Sequence, residues 1–284
     1  MTHPILISID DAAVRIGDPA WLFVDCRYTL GDPGKGRRDY DAGHLPGAIF
    51  ASLDDDLASP HVPGRTGRHP LPEKSAWLDT LSGWGIAPAT QIVAYDGGVG
   101  QSAAGRLWWM LKWAGHDRVA VLDGGFPRWV ETGNLLTTAP PSHRQNRRFE
   151  PRWRDDMQVS AVEVAARLAA GSATVLDARA VERFRGEVEP IDPVAGHIPG
   201  AISAPYTANI SPGGVMAPVS TLTERFDALA PGRRAEDVIV YCGSGVSAIQ
   251  NLLAFAHAGR GIPRLYPGSW SEWITDPSRP VARS

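Results

Sequence analysis

A tandem pair of α/β units, each a mainly parallel sheet flanked by helices, is the fold class this sequence predicts, and three observations predict it. Four landmarks recur in the same order: Asp25 and Asp177 lie 152 residues apart, His44 and His197 153, Asp96 and Cys242 146, and Gly124 and Gly268 144. Order and spacing kept through four landmarks are most simply read as two copies of one unit. Within each copy, short β-branched runs alternate with helical stretches, the pattern of a parallel sheet covered on both faces. The strand-like runs are continuously apolar rather than alternating, as burial on both faces requires.

In chain order, the first copy offers Trp21 to Asp25 as a strand, then the turn-rich Asp41-Ala-Gly-His44-Leu-Pro-Gly-Ala-Ile49. Gln91 to Tyr95 and Val119 to Leu122 follow as strands around the helical stretch 101–115. The second copy answers with Thr174 to Asp177, the turn Ala195-Gly-His197-Ile-Pro-Gly-Ala-Ile202, the strand Val238 to Tyr241, and Arg264 leading to Gly268. Ala248 to His257 reads as a helix ended by Gly259. Between the copies, 137–151 is rich in proline and polar residues without apolar periodicity, which predicts a linker whose arginines are solvated charges. The expected division is therefore a first domain at 1–136, a linker at 137–151 and a second domain at 152–284.

At 284 residues, with 43% hydrophobic and 21% charged residues, the chain can bury two ordinary cores. A net charge of −3 leaves no electrostatic footprint for nucleic acid or an anionic membrane. No apolar stretch is long enough to span a bilayer, and the first ten residues lack a basic segment followed by a long apolar one. Two cysteines at unrelated places imply no disulfide framework, so a reducing compartment is expected, with cytoplasm as the default. The cysteines and scattered histidines show no ligand spacing, and neither a metal nor an organic cofactor is expected.

The chemistry is expected in Cys242-Gly-Ser-Gly-Val-Ser247, which leaves the Val238 to Tyr241 strand and feeds a helix. Ligands of α/β sheets gather at the carboxyl ends of strands, and a helix N-terminus there favours an anion. Backbone N–H groups and the helix dipole are thus expected to stabilise an anionic sulfur on Cys242. Gly243 and Gly245 let the loop curl round it, Ser244 and Ser247 add hydroxyl donors, and Ser247 suits an N-cap. Such a cysteine could be structural, a phosphatase nucleophile, a redox thiol or a sulfur carrier. A tyrosine-type phosphatase needs an arginine six residues on, where Ala248 stands; a dithiol of the C-x-x-C type needs a second cysteine where Gly245 stands. A free buried cysteine is most often a small structural hydrophobe, a reading the Gly-Ser-Gly loop weakens here. Sulfur carriage remains.

The duplication also separates architecture from function. Asp25/Arg27 and Asp177/Arg179 occur in both copies and read as ion pairs serving the fold; His44 and His197 sit in matching turns and read likewise. Cys26 stands where Ala178 stands, beside a strand, and reads as an inert core thiol. Asp96 takes the place of Cys242 and cannot carry sulfur, so the first copy should be silent and lend a wall to the cleft. Its loop, 96–102, is one residue longer than that of Cys242 when Ser102 is matched to Ser247, so the same cradle is not expected there.

C-G-S-G-V-S after a strand, together with two copies of A-G-H-L/I-P-G-A-I, resembles the two-domain rhodanese-type sulfurtransferases, most nearly the 3-mercaptopyruvate sulfurtransferases, whose loop reads C-G-S/T-G-V-S/T. The resemblance spans nearly the whole chain. It implies tandem rhodanese-like domains, of which the second is catalytic, and transfer of sulfur from a small anionic donor to a thiol, thioredoxin or cyanide through a Cys242 persulfide. Cys242 and Ser244 would be catalytic, while the amides from Gly243 through Gly245 and Val246 to Ser247 hold the persulfide. The family stretch G-R-F-x-G places a substrate arginine on Arg183, with Arg185 as its neighbour; in an extended segment the two would point opposite ways. A surface arginine paired with Glu182 or Glu187 is the plainer reading of Arg183. The resemblance implies that a histidine and an acidic residue of the first unit assist Ser244, which makes His44 a candidate.

One departure stands out. Where relatives carry P-E-P-R, with a second arginine for the substrate carboxylate, this chain has Val188-Glu189-Pro190-Ile191. The missing cation would have to come from elsewhere, Arg37 or Arg38 being examples, or the donor is thiosulfate. Against thiosulfate, relatives that prefer it carry basic residues after the cysteine, where this chain has neutral Gly243 and Ser244. Thiosulfate:cyanide transfer, a non-catalytic partner-binding module and a phosphatase remain as alternatives.

Overall fold

Every ladder between strands in the computed structural model is parallel, which is why the runs predicted as strands are apolar along their whole length. The structure describes residues 3–98, 103–141 and 144–284. It divides into two compact units. The first comprises Met1–Ser59, Leu71–Arg154 and Pro212–Val215; the second comprises Pro60–Pro70, Asp155–Ser211 and Met216–Ser284. The division therefore differs from two contiguous halves, because Pro60–Pro70 of the first sequence copy counts with the second unit. The described residues of the stretch 137–151, which are 137–141 and 144–151, also pack within the first unit: Thr137 exchanges backbone hydrogen bonds with His44 at 2.9 and 3.0 Å, and the amide of buried Phe149 donates to Ser82 Oγ at 3.2 Å.

The first unit runs β1 (Leu6–Ile7), α1 (Ile9–Ala13), β2 (Trp21–Asp25), α2 (Lys35–Ala42), β3 (Ile49–Phe50), α3 (Lys74–Gly83), β4 (Gln91–Tyr95), α4 (Ala103–Trp113), β5 (Val119–Leu122) and α5 (Gly125–Glu131). Its sheet has the order β1-β5-β4-β2-β3. The second unit runs α6 (Ala161–Ala169), β6 (Thr174–Asp177), α7 (Val181–Arg185), β7 (Ile202–Ser203), α8 (Val219–Leu229), β8 (Val238–Tyr241), α9 (Ile249–His257), β9 (Arg264–Leu265) and α10 (Ser269–Trp273). Its order, β7-β6-β8-β9, repeats β3-β2-β4-β5 strand for strand. Each unit encloses its own core, around Phe23, Val93 and Trp129 in the first and around Val175, Ile239, Trp270 and Trp273 in the second.

The duplicated polar residues do the same work in both units. Arg27 and Arg179 each reach their own aspartate at 2.6 Å, and each caps a carbonyl of the following turn, Gly43 at 2.6 Å and Gly196 at 2.7 Å. His44 stacks on Tyr40 and His197 on Phe184, with ring centroids 3.9 and 3.8 Å apart. Burying a charged pair is tolerable only when its remaining hydrogen-bonding capacity is used, and both arginines use theirs on backbone oxygens. Among the described residues no helix is long and apolar enough to cross a membrane, and no group of three or more His, Cys, Asp or Glu could hold a metal ion.

Candidate active site

Strand β8 is central and fully buried, and Cys242 follows it directly, 1% exposed. The turn that opens α10 clamps this cysteine from below. The Cys242 amide donates to Ser269 Oγ at 3.1 Å, Ser269 Oγ donates to the Tyr266 carbonyl at 2.9 Å, and the Cys242 carbonyl accepts from the Trp270 amide at 2.9 Å. One residue on, the Gly243 carbonyl accepts from the Ser271 amide at 2.9 Å. Gly245 has φ 76°, and a Cβ there would stand 2.2 Å from the Pro267 carbonyl oxygen, so the loop can curl only as glycine.

The expected N-cap is not the one observed. Helix α9 starts at Ile249 behind Ala248, which makes no side-chain cap bond, and Ser247 lies in the preceding turn. The Ile249 amide turns back to the Val246 carbonyl at 3.2 Å and that of Gln250 to Ser247 at 3.2 Å, so tight i→i+3 turns satisfy the loop and displace the side-chain cap.

Ser244 is 8% exposed and its Oγ lies 2.9 Å from Nδ1 of His69, itself 7% exposed. His69 belongs to Pro60–Pro70, an irregular segment that docks on the same turn as the cysteine. A Cβ on Gly67 would stand 2.5 Å from the Gly268 carbonyl oxygen, and the Arg68 amide donates to Ser271 Oγ at 3.1 Å. Ser271 thus ties both His69's neighbour and the cysteine loop to one turn. Burial pushes the pKa of the Tyr206 phenol up, and charge on Cys242 pushes it further.

Arg183 lies on α7, a helical turn and not an extended segment. Its partners are neither Glu182 nor Glu187. Nε and Nη2 grip Glu189 at 3.1 and 2.6 Å, and Nη2 also reaches Asp192 at 3.1 Å. Arg179 adds a contact to Glu189 at 3.3 Å. Asp192 pairs in turn with Arg68. A Cβ on Gly243 would stand 2.7 Å from Arg68 Nη2 and 3.6 to 3.7 Å from the Arg183 terminal nitrogens, so both guanidinium groups overlie the residue after the cysteine. Burial works against ionisation of Glu189, but hydrogen bonds from Arg183 and from the amides of Asp192 and Ile191 outweigh it and lower its pKa. Burial raises that of Asp192 despite the arginines.

Several candidates fall away. Both ring nitrogens of His44 contact backbone carbonyl oxygens, Tyr40 at 2.8 Å and Ala139 at 3.0 Å, so this histidine braces its turn and is not the partner of Ser244. Arg37 and Arg38 pair locally with Asp41 and Asp32 and stay exposed. Arg185 is exposed beside Glu187 at 3.7 Å. Cys26 is fully buried, and burial followed by the charge of Asp96 pushes its thiol pKa up, as suits an inert thiol. In the first unit Asp96 accepts from the amides of Gly98 at 3.1 Å and Ala104 at 3.0 Å; the comparison of its loop with that of Cys242 runs through 99–102, outside the described residues.

A buried cysteine at the carboxyl end of a central parallel strand, with a Ser–His pair and two arginines around it, could act chemically as a nucleophile beside a site for an anion. Comparison with known proteins places it. The rhodanese-like domain family matches twice, at residues 8–132 and 160–276, and the chain belongs to that family. A Pseudomonas aeruginosa protein bearing the name 3-mercaptopyruvate sulfurtransferase is 47% identical over 283 residues, covering 99% of each chain. A Mycobacterium tuberculosis protein bearing the name thiosulfate sulfurtransferase is 40% identical, covering 98% of this chain and 97% of its own. The structure of 3-mercaptopyruvate sulfurtransferase from Leishmania major superposes with a TM-score of 0.82 at 30% identity, over 95% of this chain and 75% of that one.

Proposed function

We propose that this chain is a sulfurtransferase that takes the sulfur of 3-mercaptopyruvate onto Cys242 and passes it to a thiol, thioredoxin or cyanide. The observation that carries this reading is the Ser244–His69 contact of 2.9 Å beside Cys242. The Cys242 thiolate attacks the donor sulfur and the carbon–sulfur bond breaks, its electron pair going to the enolate of pyruvate. A hydroxyl held against an imidazole can deliver the proton that the enolate needs, Ser244 giving it and His69 resupplying it. An acceptor then attacks the outer sulfur and releases Cys242 as thiolate, which gives ping-pong kinetics. Gly243, Gly245, Val246 and Ser247 supply the loop amides for the persulfide, and Arg183 meets the donor's charge. The two cysteines, free in the structure, suit a reducing compartment such as the cytoplasm.

The second reading keeps Cys242 and changes the donor to thiosulfate. Ile191 in place of an arginine favours it, as does the name of the Mycobacterium tuberculosis relative. Measuring kcat/KM for both donors with one acceptor, and with Cys242→Ser as the blank, decides between them. A large preference for 3-mercaptopyruvate supports the first reading; a preference for thiosulfate overturns it.

A further inference from the structure

The donor's carboxylate needs more than Arg183, since that guanidinium already spends Nε and Nη2 on Glu189. Position 191 offers no second cation. A different arginine stands within reach: Arg68, one residue before His69, whose Nη2 lies against Gly243 from the side of the Pro60–Pro70 segment. Its amide is fixed to Ser271 and its Nη1 to Asp192, and its buried Nε has no hydrogen-bond partner among the described residues. Asp192 lies between the two guanidinium groups, one carboxylate oxygen on Arg68 and the other on Arg183.

The two carboxylates of this cluster are not equivalent. Glu189 accepts from Arg183 Nε and Nη2, from Arg179 Nη1 and from the amides of Ile191 and Asp192, and is the fixed member. Asp192 accepts one bond from each of two arginines, and burial raises its pKa. A carboxylate bridging two guanidinium groups beside a nucleophile occupies the geometry that a carboxylate-bearing donor requires.

We propose that Arg68 is the second guanidinium of the donor site, in place of the cation missing at Ile191, and that Asp192 is an exchangeable stand-in for the donor's carboxylate. The proposal rests on the reading of 3-mercaptopyruvate as donor and deepens it. Donor binding moves Asp192 aside, Arg68 and Arg183 close on the incoming carboxylate, and the thiol sulfur of the donor is left over Gly243 facing Cys242. A monocarboxylate fits this exchange because it replaces one negative charge with another, so the cluster's balance is kept.

The test uses pyruvate as the probe, in the full-length protein. Alkylation of Cys242 by the neutral reagent iodoacetamide is followed with rising pyruvate, and the half-protecting concentration is read for wild type, Arg68→Gln, Arg68→Lys and Asp192→Asn. Arg68→Gln is expected to raise that concentration about 10- to 100-fold, the loss of one charged hydrogen-bonding group. Arg68→Lys should recover part of it, and Asp192→Asn should lower it below wild type. The unprotected alkylation rate shows that the loop is intact in each variant; if Arg68→Gln fails that control, Arg68→Lys and Asp192→Asn decide. Unchanged protection in Arg68→Gln, or weaker protection in Asp192→Asn, overturns the assignment and leaves the donor reading standing. Wild-type protein that loads sulfur from thiosulfate but not from 3-mercaptopyruvate, by the mass of one sulfur atom on Cys242, overturns the donor reading instead.

Discussion

Ser269 accepts the hydrogen bond of the Cys242 amide at 3.1 Å from a backbone with φ 55°, the one positive φ of a non-glycine residue among those described. The first unit solves the same turn with Gly125, φ 61°, whose neighbour Phe126 donates to the Asp96 carbonyl at 2.8 Å as Trp270 does to Cys242 at 2.9 Å. Backbone strain of about 1–2 kcal/mol is thus accepted only where a hydroxyl has something to hold.

Ser269→Ala keeps the strain and loses the hydroxyl, so it should destabilise the protein by about 1–3 kcal/mol, the cost of an unsatisfied buried amide. Ser269→Gly loses the hydroxyl but releases the strain, and should be the more stable of the two by about 1 kcal/mol. Both should lower kcat by about tenfold or more, because the cysteine amide loses its anchor and only the carbonyl side of the residue is still held. Thermal unfolding and steady-state rates check this; a fully active Ser269→Gly protein would make the hydroxyl dispensable.

The Ser244–His69 pair should behave as one device. Ser244→Ala and His69→Asn are each expected to reduce kcat about 100-fold, within the range of general acid–base catalysis. The double variant should then be no slower than the worse single one, since either change already removes the relay. Multiplied losses in the double variant would show that the two residues act independently.

The glycines of the loop should separate by what a side chain would meet. Gly245→Ala places its Cβ against the rigid Pro267 carbonyl and demands φ 76°, so loss of activity should come with loss of stability, above about 2 kcal/mol. Gly243→Ala meets only the far end of a long side chain, Arg68 Nη2, so KM for an anionic donor should rise while the unfolding temperature stays near wild type. Equal effects of the two changes on stability would contradict this division.

Much of the fold was legible because parallel strands and duplicated turns leave local signatures. Val238 to Tyr241 is a strand because it is continuously apolar, and Asp-x-Arg recurs because each unit must anchor the same turn. Cys242 and Ser244 were nameable as candidates from their loop. His69 and Arg68 were not, because they lie in an irregular segment with no periodicity, and His69 meets Ser244 across 175 positions of sequence. A signal did exist: Gly-Arg-His-Pro at 67–70 has no counterpart in the second copy, the same asymmetry that singles out Cys242 against Asp96. The matching A-G-H turns mark His44 as architectural, and only the family resemblance makes it a candidate; the backbone consumes both its nitrogens.

Asp96 itself leads to the last prediction. Burial pushes its pKa up from the usual carboxylate range to about 7, against hydrogen bonds from the amides of Ala104 and Gly98. The folded state therefore holds a proton that the unfolded chain releases near pH 4. This stabilisation is complete below pH 4 and is lost as pH rises through about 7, by at most about 4 kcal/mol for a shift of roughly three units. Unfolding temperature of the wild type should accordingly fall between pH 5 and pH 8. Asp96→Ala should be less stable than wild type at pH 5, where the protonated acid fills its site at little electrostatic cost, and the deficit should narrow by pH 8, where the wild type carries a buried charge. Parallel curves for the two proteins would mean that Asp96 titrates like an exposed carboxylate. Sulfur transfer at a fixed pH should hardly change in this variant, because the aspartate stands where the second unit has its nucleophile and has no sulfur to give.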